Sequence, residues 1–213
     1  ALAAYRASHD ISARLAASDP GNAEWQRDLS VWHERLGDVL MAGGDPTAAA
    51  AAYRASHAIF VRLAASDPGN AGWQLGLSVS HERLGDVLME QRDLAAAVSA
   101  YRASLEIRGR LAASDPTNAV WQDDLAVSHN KLGDVLRAGG DLPGALRAYR
   151  TGLAIRQRLA ASDPDNAEWQ RGLSVLHERL GDVLRAGGDL VGAISAYRAS
   201  YDIRERLAAS NPD

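Results

Sequence analysis

The sequence contains no cysteine, which excludes disulfide bonds, thiolate metal sites and cysteine nucleophiles. Aromatic residues make up only 6% of the 213 residues. No apolar run approaches the roughly 20 residues that a membrane helix requires. Lysine is almost absent, since Lys131 is the one lysine among 23 basic residues, against 27 acidic ones. The resulting net charge of −4 favours neither nucleic acid nor an anionic membrane as a partner.

The start of the chain also lacks two common features. It has neither an initiator methionine nor a basic-then-apolar leader, so we expect a soluble, cytoplasmic fragment of a longer polypeptide.

The sequence is an internal repeat with a period of 48 residues. Four full repeats follow one half repeat, so we predict a single repeat domain over residues 1–213. The half repeat covers 1–19, and the full repeats cover 20–67, 68–115, 116–163 and 164–211. The recurring residues include Tyr5, Tyr53, Tyr101, Tyr149 and Tyr197, then Trp25, Trp73, Trp121 and Trp169, and then Gly37, Gly85, Gly133 and Gly181.

Each repeat carries two amphipathic helical patterns separated by turns. Asn22 is placed to cap the first helix, Gly43-Gly44 to end it, and Asp45-Pro46 to begin the second. One helix pair cannot bury both apolar stripes, so stacked pairs are expected. We therefore predict an all-α solenoid of antiparallel helix pairs, with about nine helices of roughly 20 residues each. The predicted stripes are Trp25, Leu29, Trp32, Leu36, Val39 and Leu40 in the first helix, and Ala49, Ala52, Tyr53, Ser56, Ile59 and Leu63 in the second.

The order Leu36-Gly37, Ala49, Tyr53 and Pro68 resembles the motif of the tetratricopeptide-repeat family. The sequence departs from the family in length, with repeats of 48 residues where the family has about 34. The resemblance implies a right-handed superhelix whose groove, lined mainly by first helices, binds peptides or proteins. It implies an interaction scaffold, without catalytic activity and without a cofactor. The sequence also resembles the near-identical repeat arrays found in large bacterial multidomain proteins.

The octet HERLGDVL at 33–40 begins like the zinc-protease signature, in which a second histidine lies four residues after the first. Gly37 occupies that position, so we expect His33 and its counterparts to be packing residues that bind no metal. Motifs for nucleotide binding, calcium binding and nucleophilic catalysis are absent from the sequence. We therefore predict no catalytic residue.

The same octet places carboxylates on the face of the first helix that points away from its apolar stripe. One interpretation is an acidic groove for a basic or amide-rich protein segment, and the other is a solvated face with local ion pairs. A carboxylate-clamp site is rejected, because seven of the eight equivalent positions are acidic. The candidates are Val31, Glu34, Asp38, Glu82, Asp86, Asn130, Asp134, Glu178 and Asp182.

Positions that differ between repeats mark a second set of candidates. Packing conserves a core residue from copy to copy, so variable positions are expected to be exposed. If a partner is recognised specifically, the best candidates are Arg27, Leu75, Asp123 and Arg171.

The alternative function is structural. Neither terminal helix belongs to a polar capping repeat, so head-to-tail self-association is the second hypothesis. Its candidate residues are Tyr5, Tyr197 and Tyr201.

Overall fold

The protein is represented by a computed structural model, which describes the backbone of residues 2–210 and the side chains of residues 10–210. Over that range the chain forms nine α-helices and no strand, which confirms the predicted all-α helical-repeat solenoid. The helices are α1 (Leu2–Ser18), α2 (Ala23–Ala42), α3 (Pro46–Ser66), α4 (Ala71–Glu90), α5 (Leu94–Ser114), α6 (Ala119–Ala138), α7 (Leu142–Ser162), α8 (Ala167–Ala186) and α9 (Leu190–Ser210). We call α2, α4, α6 and α8 first-type helices, and the odd-numbered helices second-type helices.

The helix starts follow the predicted caps. Asn22 accepts a hydrogen bond from the Trp25 amide at 3.1 Å, and Asp45 accepts one from the Ala48 amide at 2.9 Å. These side chains satisfy amide groups that have no partner within the helix. Asn70, Asn118 and Asn166 cap the other first-type helices, while Asp93, Asp141 and Asp189 accept equivalent bonds at the starts of α5, α7 and α9.

The turns that end the first-type helices need a residue in the left-handed backbone conformation, with a positive φ angle. Gly44, Gly140 and Gly188 supply it with φ angles of 78°, 82° and 85°. In the second repeat Arg92 occupies this position with φ 63°, a conformation that is strained for a residue with a Cβ atom.

The chain divides into two compact units, Ala1–Ile107 and Arg108–Asp213. In the first unit α2 packs against α1 and α3, and α4 packs against α3. In the second unit α6 packs against α7, and α8 packs against both α7 and α9. Stacking therefore buries α3 and α7 on two sides, as the predicted stripe requires. In α3, the predicted residues Ala49, Ala52, Tyr53, Ser56, Ile59 and Leu63 all have exposures of 7% or less.

Helix α2 differs from the prediction. In α2 the buried residues are Ser30 and Gly37, whereas Trp25, Leu29 and Leu36 are only half-buried. The reason is that α2 lies between two second-type helices, so small residues occupy the lines of closest approach and larger residues flank them. None of the helices within residues 2–210 has both the length and the hydropathy of a membrane span.

Candidate functional site

The glycine of HERLGDVL is a contact point for the tyrosine of the following helix. A Cβ atom added at Gly133 would lie 2.4 Å from Cε1 of Tyr149, a distance that real contacts do not reach. Tyr149 itself is fully buried. Gly37, Gly85 and Gly181 make the same contact with Tyr53, Tyr101 and Tyr197. The recurrent glycine therefore allows close approach of an aromatic ring.

The aspartate after this glycine binds the same tyrosine. The Tyr149 hydroxyl donates to Asp134 Oδ1 at 2.6 Å, and burial together with this carboxylate raises the pKa of Tyr149. The sequence placed these aspartates on a groove as partner-binding groups. In the structure each one is also an internal acceptor. The other three bonds join Tyr53 to Asp38 (2.8 Å), Tyr101 to Asp86 (2.7 Å) and Tyr197 to Asp182 (2.8 Å).

Arginines of the octet neutralise part of this acidic face. Within the first unit Arg83 lies 3.4 Å from Asp38, and within the second unit Arg179 lies 3.5 Å from Asp134. Each pair joins one repeat to the next. The face therefore carries paired charges of both signs at these aspartates.

The glutamates of the octet are half-buried and have different partners. Glu34 accepts a hydrogen bond from the Ser56 hydroxyl at 3.1 Å, and its burial raises the pKa of its carboxyl group. Glu178 pairs with Arg204 of α9. Glu82 and Val31, two further candidates, are also half-buried. Besides its bond with Tyr197, Asp182 contacts Arg185 at the longer distance of 3.9 Å.

The histidines pack against neighbouring helices. The rings of His57 and His81 lie 4.4 Å apart, and His57 Nδ1 is 3.0 Å from the Ser80 hydroxyl. Burial and the neighbouring imidazole lower the pKa of His81 to about 4, so this ring is neutral at pH 7. Among the residues that the structure describes, no group of three or more potential ligands is arranged to hold a metal ion.

The four variable positions do not share one environment. Arg27 is exposed and contacts Glu24 at 3.3 Å, and Leu75 is half-buried. Asp123 was expected to be exposed, but it forms an ion pair with Arg156 at 3.1 Å in which both side chains are mostly buried. Arg171 is exposed. Variation between copies therefore marks exposed positions at Arg27 and Arg171 and a mostly buried ion pair at Asp123.

One pocket brings two of the predicted residues together. It has a volume of about 530 Å³ and lies between α6, α7 and α8 in the second unit. Asn130 and Arg171 line it, and Asn130 Oδ1 is buried without a hydrogen-bond partner among the described residues. We call this the α6–α8 pocket. Its remaining lining residues are Arg156, Ala167, Glu168, Gly172, Val175 and Leu176.

Arg156 belongs to this pocket although the sequence gave no indication of it. Its guanidinium lies against Gly172, where a Cβ atom would collide with it. In the preceding repeat the equivalent arginine, Arg108, is 5% exposed and donates to the Asp124 carbonyl oxygen at 3.2 Å. The signal that could have revealed this position is its variation between copies, because Ser12 and Phe60 occupy it in the first two copies and arginine in the later ones.

The predicted self-association residues occupy different environments. Tyr197 is half-buried, and its ring and hydroxyl contact Gly181 and Asp182 within its own repeat. Tyr201 is 64% exposed. The Tyr5 side chain lies outside the described residues.

Solved structures with the same fold include a putative kinesin light chain, BtubC and MamA. The putative kinesin light chain of Podosopora anserina, with nearly identical TPR-like repeats, has a TM-score of 0.64 at 14% identity, over 98% of this chain and 97% of that one. BtubC from P. vanneervenii has a TM-score of 0.58 at 20% identity, over 99% and 92%. MamA has a TM-score of 0.58 at 17% identity, over 96% and 91%. These similarities show a shared fold.

Family models identify the repeat itself. A tetratricopeptide-repeat model matches residues 80–110, and another model of the same repeat matches residues 130–212. No match is found among curated proteins. Because the two matched segments together span more than half of the residues, and the fold agrees, the chain belongs to the tetratricopeptide-repeat family.

Proposed function

We propose that the chain is a non-enzymatic protein-interaction scaffold that binds a peptide segment along its first-type helices. The observation that carries this proposal is the α6–α8 pocket, in which Asn130 and Arg171 meet. Pockets of a few hundred cubic ångströms with a few polar groups are common binding sites.

The chemistry of the pocket favours a segment that presents amide groups. Asn130 lines the pocket, and its side-chain amide can exchange hydrogen bonds with a peptide group. Arg171 can donate to a peptide carbonyl or carboxylate oxygen. Arg171 also lines a second pocket of about 470 Å³ between α8 and α9.

The charge of the face argues against a strongly basic ligand. Asp38 and Asp134 are paired with arginines, and Glu178 is paired with Arg204. Such pairs reduce the attraction of the carboxylate row for a cationic segment. Of the basic and amide-rich segments that the sequence left open, we therefore propose the amide-rich one.

A displayed library of random peptides tests the proposal. Peptides enriched on the intact chain would be synthesised, and their dissociation constants measured by fluorescence polarisation against Asn130→Ala, Arg171→Ala and the control Arg150→Ala. Arg150 is exposed on α7 and does not line the pocket.

We expect each pocket variant to weaken binding by about tenfold, the effect of losing roughly 1.4 kcal/mol. The control should leave binding unchanged. The proposal fails if the enriched peptides bind both pocket variants as tightly as the unmodified chain.

A further inference from the structure

The interface between α3 and α4 contains polar side chains near its centre. His57 of α3 meets Ser80 and His81 of α4, and we call these three residues the histidine cluster. The two rings lie 4.4 Å apart, and His57 Nδ1 is 3.0 Å from the Ser80 hydroxyl. The histidine cluster separates two apolar clusters, which contain Ile59, Phe60 and Leu63 with Trp73 and Leu77 on one side, and Ala49, Ala50 and Tyr53 with Leu84 and Val87 on the other.

The second unit has leucine at two of these three positions. Two repeats later, His57 and Ser80 correspond to Leu153 and Leu176, and only His177 keeps an imidazole. Leu153 and Leu176 are 8% and 1% exposed, and both belong to one apolar cluster that continues along α7 and α8. The α7–α8 interface therefore lacks the polar break of the α3–α4 interface.

The hydrogen bonds of Ser80 define which nitrogen of His57 takes up a proton. The Ser80 hydroxyl is fully buried and donates to the Leu77 carbonyl oxygen at 2.8 Å. Because a serine hydroxyl has one proton, the His57 ring donates the other bond from Nδ1. A proton would therefore bind at Nε2, and the charged ring would lie in a half-buried site beside a second imidazole. Such a site favours neutral rings over charged ones.

No carboxylate is bound to either ring among the residues that the structure describes. Helix α3 itself has no acidic residue, and its Arg54 and Arg62 are exposed. The titratable groups of α2 at this level are His33 and Glu34, and Glu34 accepts its bond from the Ser56 hydroxyl. Burial raises the pKa of the Glu34 carboxyl group, which favours the folded state as pH falls and so opposes the effect of a buried imidazole.

The charged groups of α4 and α5 also leave the rings uncompensated. Glu82 follows His81 and is half-buried, and Arg83 pairs with Asp38 of α2 at 3.4 Å. Asp86 accepts a bond from a tyrosine of α5 at 2.7 Å. The charged residues of α5 within the first unit are both exposed, and they are Arg102 and Glu106.

We infer that the histidine cluster is a pH-sensitive device that opens the α3–α4 interface on mild acidification, ahead of the α7–α8 interface. Burial lowers the pKa of His57, and burial with the neighbouring imidazole lowers the pKa of His81 to about 4. In an opened interface both rings regain a pKa of about 6.5. The closed interface therefore loses stability as pH falls from about 6.5 towards 4.

Hydrogen exchange measured by mass spectrometry tests this inference on the intact chain, at about pH 7.5 and about pH 5.5. After correction for the intrinsic exchange rate, we expect the protection of α3 and α4 to fall about tenfold from the protonation of His81 alone, and further with His57. Helices α7 and α8 report on the matched interface. Burial also lowers the pKa of the single His177 ring, so we expect a smaller fall there.

Two variants separate the histidine cluster from other effects of acid. His57→Leu gives α3 the residue that α7 has at Leu153, and it should reduce the fall in α3 and α4 to that of α7 and α8. His57→Gln makes the same comparison with a polar side chain that does not titrate. His177→Gln is the matched control, which should leave the fall in α3 and α4 unchanged. Circular dichroism at about pH 7.5 would verify that each variant is folded.

The inference is overturned if acid reduces protection equally in all helices, because the whole chain would then unfold together. It is also overturned if α3 and α4 lose no more protection than α7 and α8, or if both His57 variants lose as much as the unmodified chain. No ligand enters this experiment, so its outcome is separate from that of the proposed function.

Discussion

Replacing Gly133 with alanine tests whether the glycine of the octet is a packing requirement. The added methyl group would lie 2.4 to 2.9 Å from three ring carbons of Tyr149. The ring has no exposed surface, and its hydroxyl is bound to Asp134, so it cannot move away cheaply. Overpacking of this kind costs about 1–3 kcal/mol, while alanine gains about 1 kcal/mol over glycine in helix propensity.

The net effect of Gly133→Ala is therefore a loss of roughly 0–2 kcal/mol in the free energy of unfolding, and the buried, hydrogen-bonded ring places it towards the upper end. Gly109→Ala is the matched control, because Gly109 also lies inside a helix but nothing approaches its Cβ position within 4 Å. This control should stabilise the protein by about 0.5–1 kcal/mol.

Thermal and urea unfolding, followed by circular dichroism, measure both variants. For a chain of this size, each 1 kcal/mol shifts Tm by about 2–4 °C. Gly133→Ala should lower Tm and Gly109→Ala should raise it. If Gly133→Ala raises Tm as Gly109→Ala does, close packing at the octet glycine is refuted.

Three further substitutions test other parts of the structure. Arg92→Gly should raise the free energy of unfolding by about 0.5–1 kcal/mol, because glycine adopts the positive φ of this turn without strain; urea midpoints would show it. His81 has a folded pKa of about 4, below its value of about 6.5 in the unfolded chain. The contribution of His81 to the free energy of unfolding is therefore lost as pH falls from 6.5 towards 4. His81→Gln should make Tm fall less steeply with acidification, and an unchanged dependence of Tm on pH would contradict this. Asp123→Ala should cost about 2–4 kcal/mol, because it leaves the mostly buried Arg156 unpaired; an effect below about 0.5 kcal/mol would contradict this.

The sequence predicted most of the fold because its repeats make local signals unambiguous. Asn22 and Asp45 act as caps through contacts with residues three positions later, so their role depends on the sequence nearby. The stripe of α3 was predictable for the same reason, since helical spacing alone places Tyr53 and Ile59 on one side.

The candidate site was harder to predict, because its contacts join different helices. Helical spacing alone places Asp134 on a groove, but the Tyr149 hydroxyl that binds it comes from the next helix. Likewise, nothing within α6 indicates that Asp123 pairs with Arg156. A single helix pattern specifies the direction of a side chain and does not specify the partner that it meets.

The central claim is that this tetratricopeptide-repeat chain recognises a peptide through the α6–α8 pocket. A crystal structure of the intact chain with the tightest-binding selected peptide tests it most directly. The account predicts a peptide group within hydrogen-bond distance of the Asn130 side-chain amide and a peptide oxygen at the Arg171 guanidinium. A peptide bound elsewhere on the chain, with no atom in contact with Asn130 or Arg171, would contradict it.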